Sequence, residues 1–214
     1  KYVTRIIDPE HLNTILLAGL HDASYEVLSM TVKTCCNIMA NLILEKRVPL
    51  LQPVLADCVQ HLKSFYTSQD VDLLLLLLST VGDVVSAKQL PVVTAVEALN
   101  TAVEIFSDAK QMNVVRNAAG LLILYFVEYY SETLLEKGFV APLVDLALRC
   151  ISDGVAEDGE EEDESVSQSA EMLMDGLGSC FPDDLIFQCV YGAGSQLLGS
   201  SDRSEERRVG KECR

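Results

Sequence analysis

Apolar residues recur at three- and four-residue spacing along nearly the whole chain, and that period predicts helices. Leu12, Ile15, Leu16 and Leu20 mark a short first helix, with Pro9 suited to its first turn. Residues 24 to 44 form a second through Val27, Leu28, Val32, Cys35, Cys36, Ile38, Met39 and Leu42. A third, from about Pro49 to Phe65, carries Leu51, Val54, Leu55, Cys58, Val59 and Leu62, and Thr67-Ser68-Gln69-Asp70 reads as the turn that ends it. Residues 71 to 85 are densely apolar, and Pro91 begins a helix packed through Val92, Val96, Leu99, Val103 and Phe106. Its other face carries Glu97, Asn100, Thr101 and Glu104 at i, i+3, i+4 and i+7, the spacing of one solvent-facing stripe. Further helices are predicted over residues 113–130 and 140–151, with Gly138 between them, and over 166–177 and 183–198, the last opened by Pro182 and Asp183.

The first helices of successive pairs start near residues 24, 71, 113 and 166, about 47, 42 and 53 residues apart. Removing an acidic insertion of about 12 residues brings the last interval to about 41, within the two-helix HEAT and armadillo period. The pairs expected are therefore 24–66, 71–107, 113–152 and 166–199. Stretches such as Leu73–Leu78 and Leu121–Val127 are apolar around too much of the helix for one hairpin to cover. Stacking on neighbours buries them, so the expected fold is all-α: a HEAT-repeat α-solenoid over residues 1–202, a right-handed superhelix of antiparallel hairpins. A parallel α/β fold competes less well, because the patterns run 15 to 20 residues and few strands bounded by glycine loops can be found.

Charge changes this picture. The chain has 214 residues, 49% hydrophobic composition and a formal net charge of −16, which disfavours direct nucleic-acid binding and favours basic partners. Much of the excess sits in Glu157, Asp158, Glu160, Glu161, Glu162, Asp163 and Glu164, a run that repels itself and buries nothing. It falls between two predicted hairpins as an exposed loop. Two roles stay open for it: contact with a basic partner, or solvation of an apolar scaffold. The seven cysteines are odd in number and mostly sit in apolar patterns, as reduced thiols of the cytosol or nucleus do. Unbroken apolar runs such as Leu73–Leu78 are too short to span a bilayer, so no membrane insertion is expected. The chain begins in mid-pattern at Lys1 and reads as an internal piece of something larger, while 203–214, polar and without an apolar face, reads as a non-native or disordered tail.

Catalytic chemistry finds little support. His11, His21 and His61 form no metal-binding pair, and paired Cys-x-x-Cys motifs are absent. Cys35 and Cys36 lack an identifiable base. Gly192-Ala193-Gly194 has no phosphate-loop continuation and reads as close helix packing or a bend. Asp183 and Asp184 suit a helix N-terminus better than a hydrolytic dyad. Arg116, in the first turns of its helix, reads as a structural contact to its neighbour. No enzyme and no cofactor or metal is expected.

The segments VRNAAGLLILYFVEYYSETLLEKGFVAPLVDLAL and EDGEEEDESVSQSAEMLMDGLGSCFPDDLIFQCVYGAGSQLL resemble importin-beta (karyopherin-beta) nuclear transport receptors, closest to the importin-4-like members. The likeness covers about residues 1–202: outer helix, inner helix, acidic insertion, a helix with small residues, then a Pro-Asp-Asp helix start. It implies a receptor of cytoplasm and nucleus that wraps basic cargo such as histones or ribosomal proteins, contacts the small GTPase Ran, and meets nucleoporins. The acidic loop would then face cargo or Ran. A concave face would present Asp57, Gln60 and Lys63 with Glu97, Asn100, Thr101 and Glu104. The chain has no tryptophan, so the tryptophan ladder of some importins is absent, and it lacks the amino-terminal repeats that supply the main Ran surface in the family. The alternative is a HEAT scaffold subunit of a phosphatase, kinase or chromatin-assembly complex.

Overall fold

The computed structural model describes residues 8–154 and 165–195, and among them every regular element is helical. In order these are α1 Pro9–Leu20, α2 Tyr25–Leu44, a 3-10 turn at Val48–Leu51, α3 Gln52–Ser68, α4 Val71–Ser86, α5 Val92–Ser107, α6 Asn113–Tyr129, α7 Ser131–Glu136, α8 Val140–Gly154 and α9 Val166–Cys180. Residues 183–195 are helical as well. The acidic run 157–164 and the 203–214 tail lie outside the described residues. The chain divides into two compact units, Lys1–Tyr130 and Ser131–Arg214.

Local chemistry sets the helix ends. Asp8, Asp70 and Ser165 each accept a first-turn N–H, from His11, Leu73 and Gln168 respectively. Proline supplies further starts at Pro9 and Pro53, where its missing N–H costs nothing. Four helices stop by the same device. Arg47, Asp70, Gln89 and Phe139 donate backbone N–H groups to carbonyls five residues back, at Leu42, Phe65, Val84 and Leu134. The residue before each donor is left-handed: Lys46, Gln69, Lys88 and Gly138. Only Gly138 adopts that conformation without steric cost.

In the first unit the helices form two layers. α2 packs on α4 and α4 on α6, while α1 packs on α3 and α3 on α5; α1, α3 and α5 also pack on α2, α4 and α6 respectively. Between consecutive helices the contacts join α1 with α2, α3 with α4 and α5 with α6, a phase one helix earlier than the expected grouping 24–66 and 71–107. The physical reason is that the first helix, too short to anchor the period count, is a full partner: Leu12, Leu16 and Leu20 are all buried. α4 shows why layering is needed. Leu73, Leu74, Leu77, Leu78, Val81, Val84 and Val85 are buried over one broad arc and Leu75, Leu76 and Thr80 are half-buried beside it, so that only Asp72, Ser79 and Asp83 are exposed. Each fully buried apolar side chain contributes about 1.5–3 kcal/mol relative to exposure.

In the first unit, hydrogen bonds tie helix ends to the next-but-one helix at sequence separations of 37 to 46 residues. Tyr25 at the start of α2 donates to Asp70, the N-cap of α4. Tyr66 at the end of α3 donates to Asp108, just past α5, over 2.8 Å. Beyond the end of α6, the Tyr130 hydroxyl donates to Leu90 O (2.9 Å) and accepts from Leu90 N (3.1 Å). Gln89 receives Val48 N and donates to Ile43 O, both over 3.2 Å. Since starts meet starts and ends meet ends, helices within a layer run parallel.

In the second unit α8 and α9 pack together, burying Leu143, Val144, Leu146 and Ala147 from α8 and Ala170, Leu173 and Leu177 from α9. The short α7 occupies a stretch the periodicity assigned to no helix; six residues are too few to show a period. Of the close packing or bend expected at Gly192-Ala193-Gly194, close packing is not seen among the described residues, where a Cβ at Gly192 or Gly194 would meet nothing within 4 Å. α2 is apolar and long enough at 20 residues to cross a bilayer by composition, a feature that counting unbroken runs overlooks. Here Val32, Cys35, Cys36, Met39 and Leu42 on that helix are buried.

Gly120 on α6 is a true close approach: an added Cβ would lie 2.8 Å from the Phe106 ring of α5. Gly120→Ala is therefore expected to lose about 1–3 kcal/mol to overpacking, outweighing the roughly 0.5–1 kcal/mol that alanine gains in a helix. Gly178→Ala on α9, where a Cβ meets open space, is expected to gain that same roughly 0.5–1 kcal/mol. Urea unfolding midpoints of the two variants should move in opposite directions. Lys88→Gly, relieving a φ of 55°, is expected to raise stability by about 1 kcal/mol in the same assay.

Candidate partner-binding surface

The stripes anticipated on α3 and α5 do lie side by side. The two helices pack against each other, and Lys63 Nζ sits 3.4 Å from Glu104 Oε2 across the seam. Both side chains are at least half exposed, so this pair contributes little to stability. Gln60, Glu97 and Asn100 are exposed beside them. Asp57 is only partly exposed: its Oδ2 approaches His21 Nε2 of the α1 end to 3.1 Å, without the alignment of a hydrogen bond.

Thr101 departs from expectation. It is buried, and its hydroxyl donates to Glu97 O over 3.1 Å. At 100° per residue it falls on the border between the polar stripe and the buried arc of Thr94, Ala98 and Ile105. A small side chain there is covered, where Glu97 and Glu104 reach water. The surface thus consists of Asp57, Gln60, Lys63, Glu97, Asn100 and Glu104, carrying more negative than positive charge.

Arg116 Nε donates to Phe106 O at the end of α5 over 3.0 Å, placing a cation where carbonyls gather. No family model matches this chain, and no curated protein is significantly similar to it.

The polar groups at the layer seams were not anticipated as a set. Asp108 uses both carboxylate oxygens, accepting Lys110 N (2.9 Å) and Tyr66 Oη (2.8 Å). Those two bonds, the backbone one foremost, hold its pKa below the usual carboxylate value. Burial first, and then the Asp108 bond, push the Tyr66 phenol up to about 12. Tyr25 is raised through its bond to Asp70, and Tyr130 by burial. The signal was present in sequence as Tyr and Asp recurring about one hairpin apart, but only the contacts show that they meet. Among the described residues no group of three His, Cys, Asp or Glu side chains is placed to hold a metal ion. The Cys35, Cys36 and Cys58 thiols are buried. Burial raises Cys36, and a hydrogen bond with Cys35, then burial, raise Cys58, so neither is poised as a thiolate.

His61 on α3 lies between these seams. Its Nε2 is 3.1 Å from Leu20 O, which can only accept, so Nε2 carries the hydrogen. The other nitrogen, Nδ1, is buried without a hydrogen-bond partner. Burial lowers the imidazole pKa against the opposing pull of Leu20 O and Asp57, with His21 adding to the lowering. A depressed histidine pKa means the native state binds fewer protons than the unfolded one. Its stability contribution is full above the unfolded value of about 6.5 and is lost as pH falls from there through the folded value. The melting temperature is therefore expected to drop between about pH 7 and pH 5, and His61→Gln should show a shallower slope across that window. Equal slopes in the two proteins would contradict this assignment.

Proposed function

We propose that this chain is a HEAT-type segment of a nuclear import receptor, one that contributes to binding basic cargo and Ran-GTP. The observation that carries the reading is the recurrence of polar ties one hairpin apart, at 37 to 46 residues, within two layers of parallel helices. That is the spacing of a two-helix repeat, and stacked repeats serve as extended binding surfaces. The resemblance of about residues 1–202 to importin-beta receptors supplies the transport reading, with distribution between cytoplasm and nucleus. A net charge of −16 supplies the preference for cationic partners such as histone tails or ribosomal proteins.

In this reading the α3–α5 surface lines the inner, cargo-facing side, and the carboxylates of 157–164 act at longer range. They would raise the rate of encounter with Lys/Arg-rich partners in a salt-dependent way. The Lys63–Glu104 pair could open at little cost, freeing Glu104 for a ligand cation.

A fluorescent histone-tail peptide titrated against the native chain and against Glu160→Ala/Glu161→Ala/Glu162→Ala tests the electrostatic part. The variant is expected to bind several-fold more weakly at low salt, with the gap closing as salt rises. Equal affinities at low salt would remove the acidic run from the mechanism. Capture of Ran loaded with GTP but not GDP would separate transport from a general scaffold role.

A further inference from the structure

The helix over 183–195 carries a feature that neither core packing nor the α3–α5 surface uses. Phe187 and Tyr191 are each 70% exposed, yet they stack on one another with ring centroids 6.4 Å apart and planes inclined by 21°. Their spacing of four residues puts both rings on one side of the helix, and Asp183 and Asp184, both exposed, lie one turn earlier on the same side. The opposite side half-buries Leu185, Ile186, Cys189 and Val190 and buries Ala193. The helix is therefore already anchored, and the aromatic side is surplus to that anchoring.

Charge says what fits there. Between Arg149 and Arg203 the chain contains no Lys, Arg or His, while Asp183, Asp184, Glu171, Asp175 and the 157–164 run fall inside that interval. Two exposed ring faces with two exposed carboxylates one turn away suit a cation better than an apolar helix. A guanidinium can lie flat on a ring and still reach a carboxylate one turn away, whereas an ammonium is a hydrated point charge that stacks less well. We infer that Phe187 and Tyr191, with Asp183 and Asp184, form a docking face for an extended arginine-rich segment of a partner protein. This rests on the reading that the partners are basic, and it assigns them a second point of contact with its own selectivity.

The test titrates two labelled peptides of equal charge, one with arginines spaced by Gly-Ser and one with lysines, against the 214-residue chain at physiological ionic strength. The native protein is expected to prefer the arginine peptide. Phe187→Ala/Tyr191→Ala should weaken that peptide about tenfold and abolish the preference. Phe187→Tyr/Tyr191→Phe should keep both, and unchanged melting temperatures would show that the fold is intact. Neutralising Glu160, Glu161 and Glu162 to glutamine should weaken both peptides alike. If the alanine variant binds as the native protein does while the glutamine variant is weakened, the docking face is wrong and the basic-partner reading stands. Binding of neither peptide by the native protein overturns both. If the native protein sediments as a dimer that the alanine variant converts to monomer, a second copy occupies the face and the arginine assignment fails.

Discussion

A helix that is apolar around most of its circumference has to be covered from several sides at once, and α4 imposes that demand on the first unit. Leu73, Leu74, Leu77, Leu78, Val81, Val84 and Val85 fill a buried arc, Leu75, Leu76 and Thr80 are half-buried on its flanks, and only Asp72, Ser79 and Asp83 stand fully in water. One hairpin partner, α3, covers a single flank. The remainder is met by α2 and α6, each from a different hairpin. Layering follows from this, because the same helix must serve as hairpin partner and as layer neighbour. Dispersion and burial hold the layers together but do not fix their register along the helix axes. Directional bonds at the helix ends supply that: Tyr25 to Asp70, Tyr66 to Asp108, Gln89 to Ile43, Tyr130 to Leu90.

Periodicity made the helices legible because their buried arcs are wide and long. The predicted 24–44, 71–85 and 113–130 segments match α2, α4 and α6 within a few residues. What it missed has identifiable causes. α7 is too short to show a period. Thr101 sits on a boundary that residue type cannot resolve, since threonine is at home on either side. The phase of the hairpins depends on which helices touch, and spacing alone is the same for either phase. The candidate surface was legible to a similar depth: Lys63 and Glu104 could be placed on exposed stripes, but their meeting across a seam depends on packing. The acidic run 157–164 lies outside the described residues, and its role rests on charge.

The surface and the scaffold use polar groups in opposite ways. At the seams, tyrosine hydroxyls and carboxylates satisfy one another, and the shifts of Tyr66 and Asp108 reflect that closure. On α3 and α5, Gln60, Glu97 and Asn100 remain exposed to solvent. On the 183–195 helix the contrast is stronger, since aromatic rings that would ordinarily be covered stand beside carboxylates in water. The groups proposed to meet a partner are thus ones that the layered core does not use.

The two hydrogen bonds between the Tyr130 hydroxyl and the Leu90 backbone have a consequence for how the first unit comes apart. One hydroxyl supplies both the donor and the acceptor that the loop after α4 would otherwise have to find in water. If the end of α6 frays, that loop is uncovered at the same moment. The next seam back is tied by Gln89, one residue away in the same loop, to Ile43 at the end of α2. Loosening can therefore pass from hairpin to hairpin along a single edge, the way a hem unpicks, with each tie guarding the one before it.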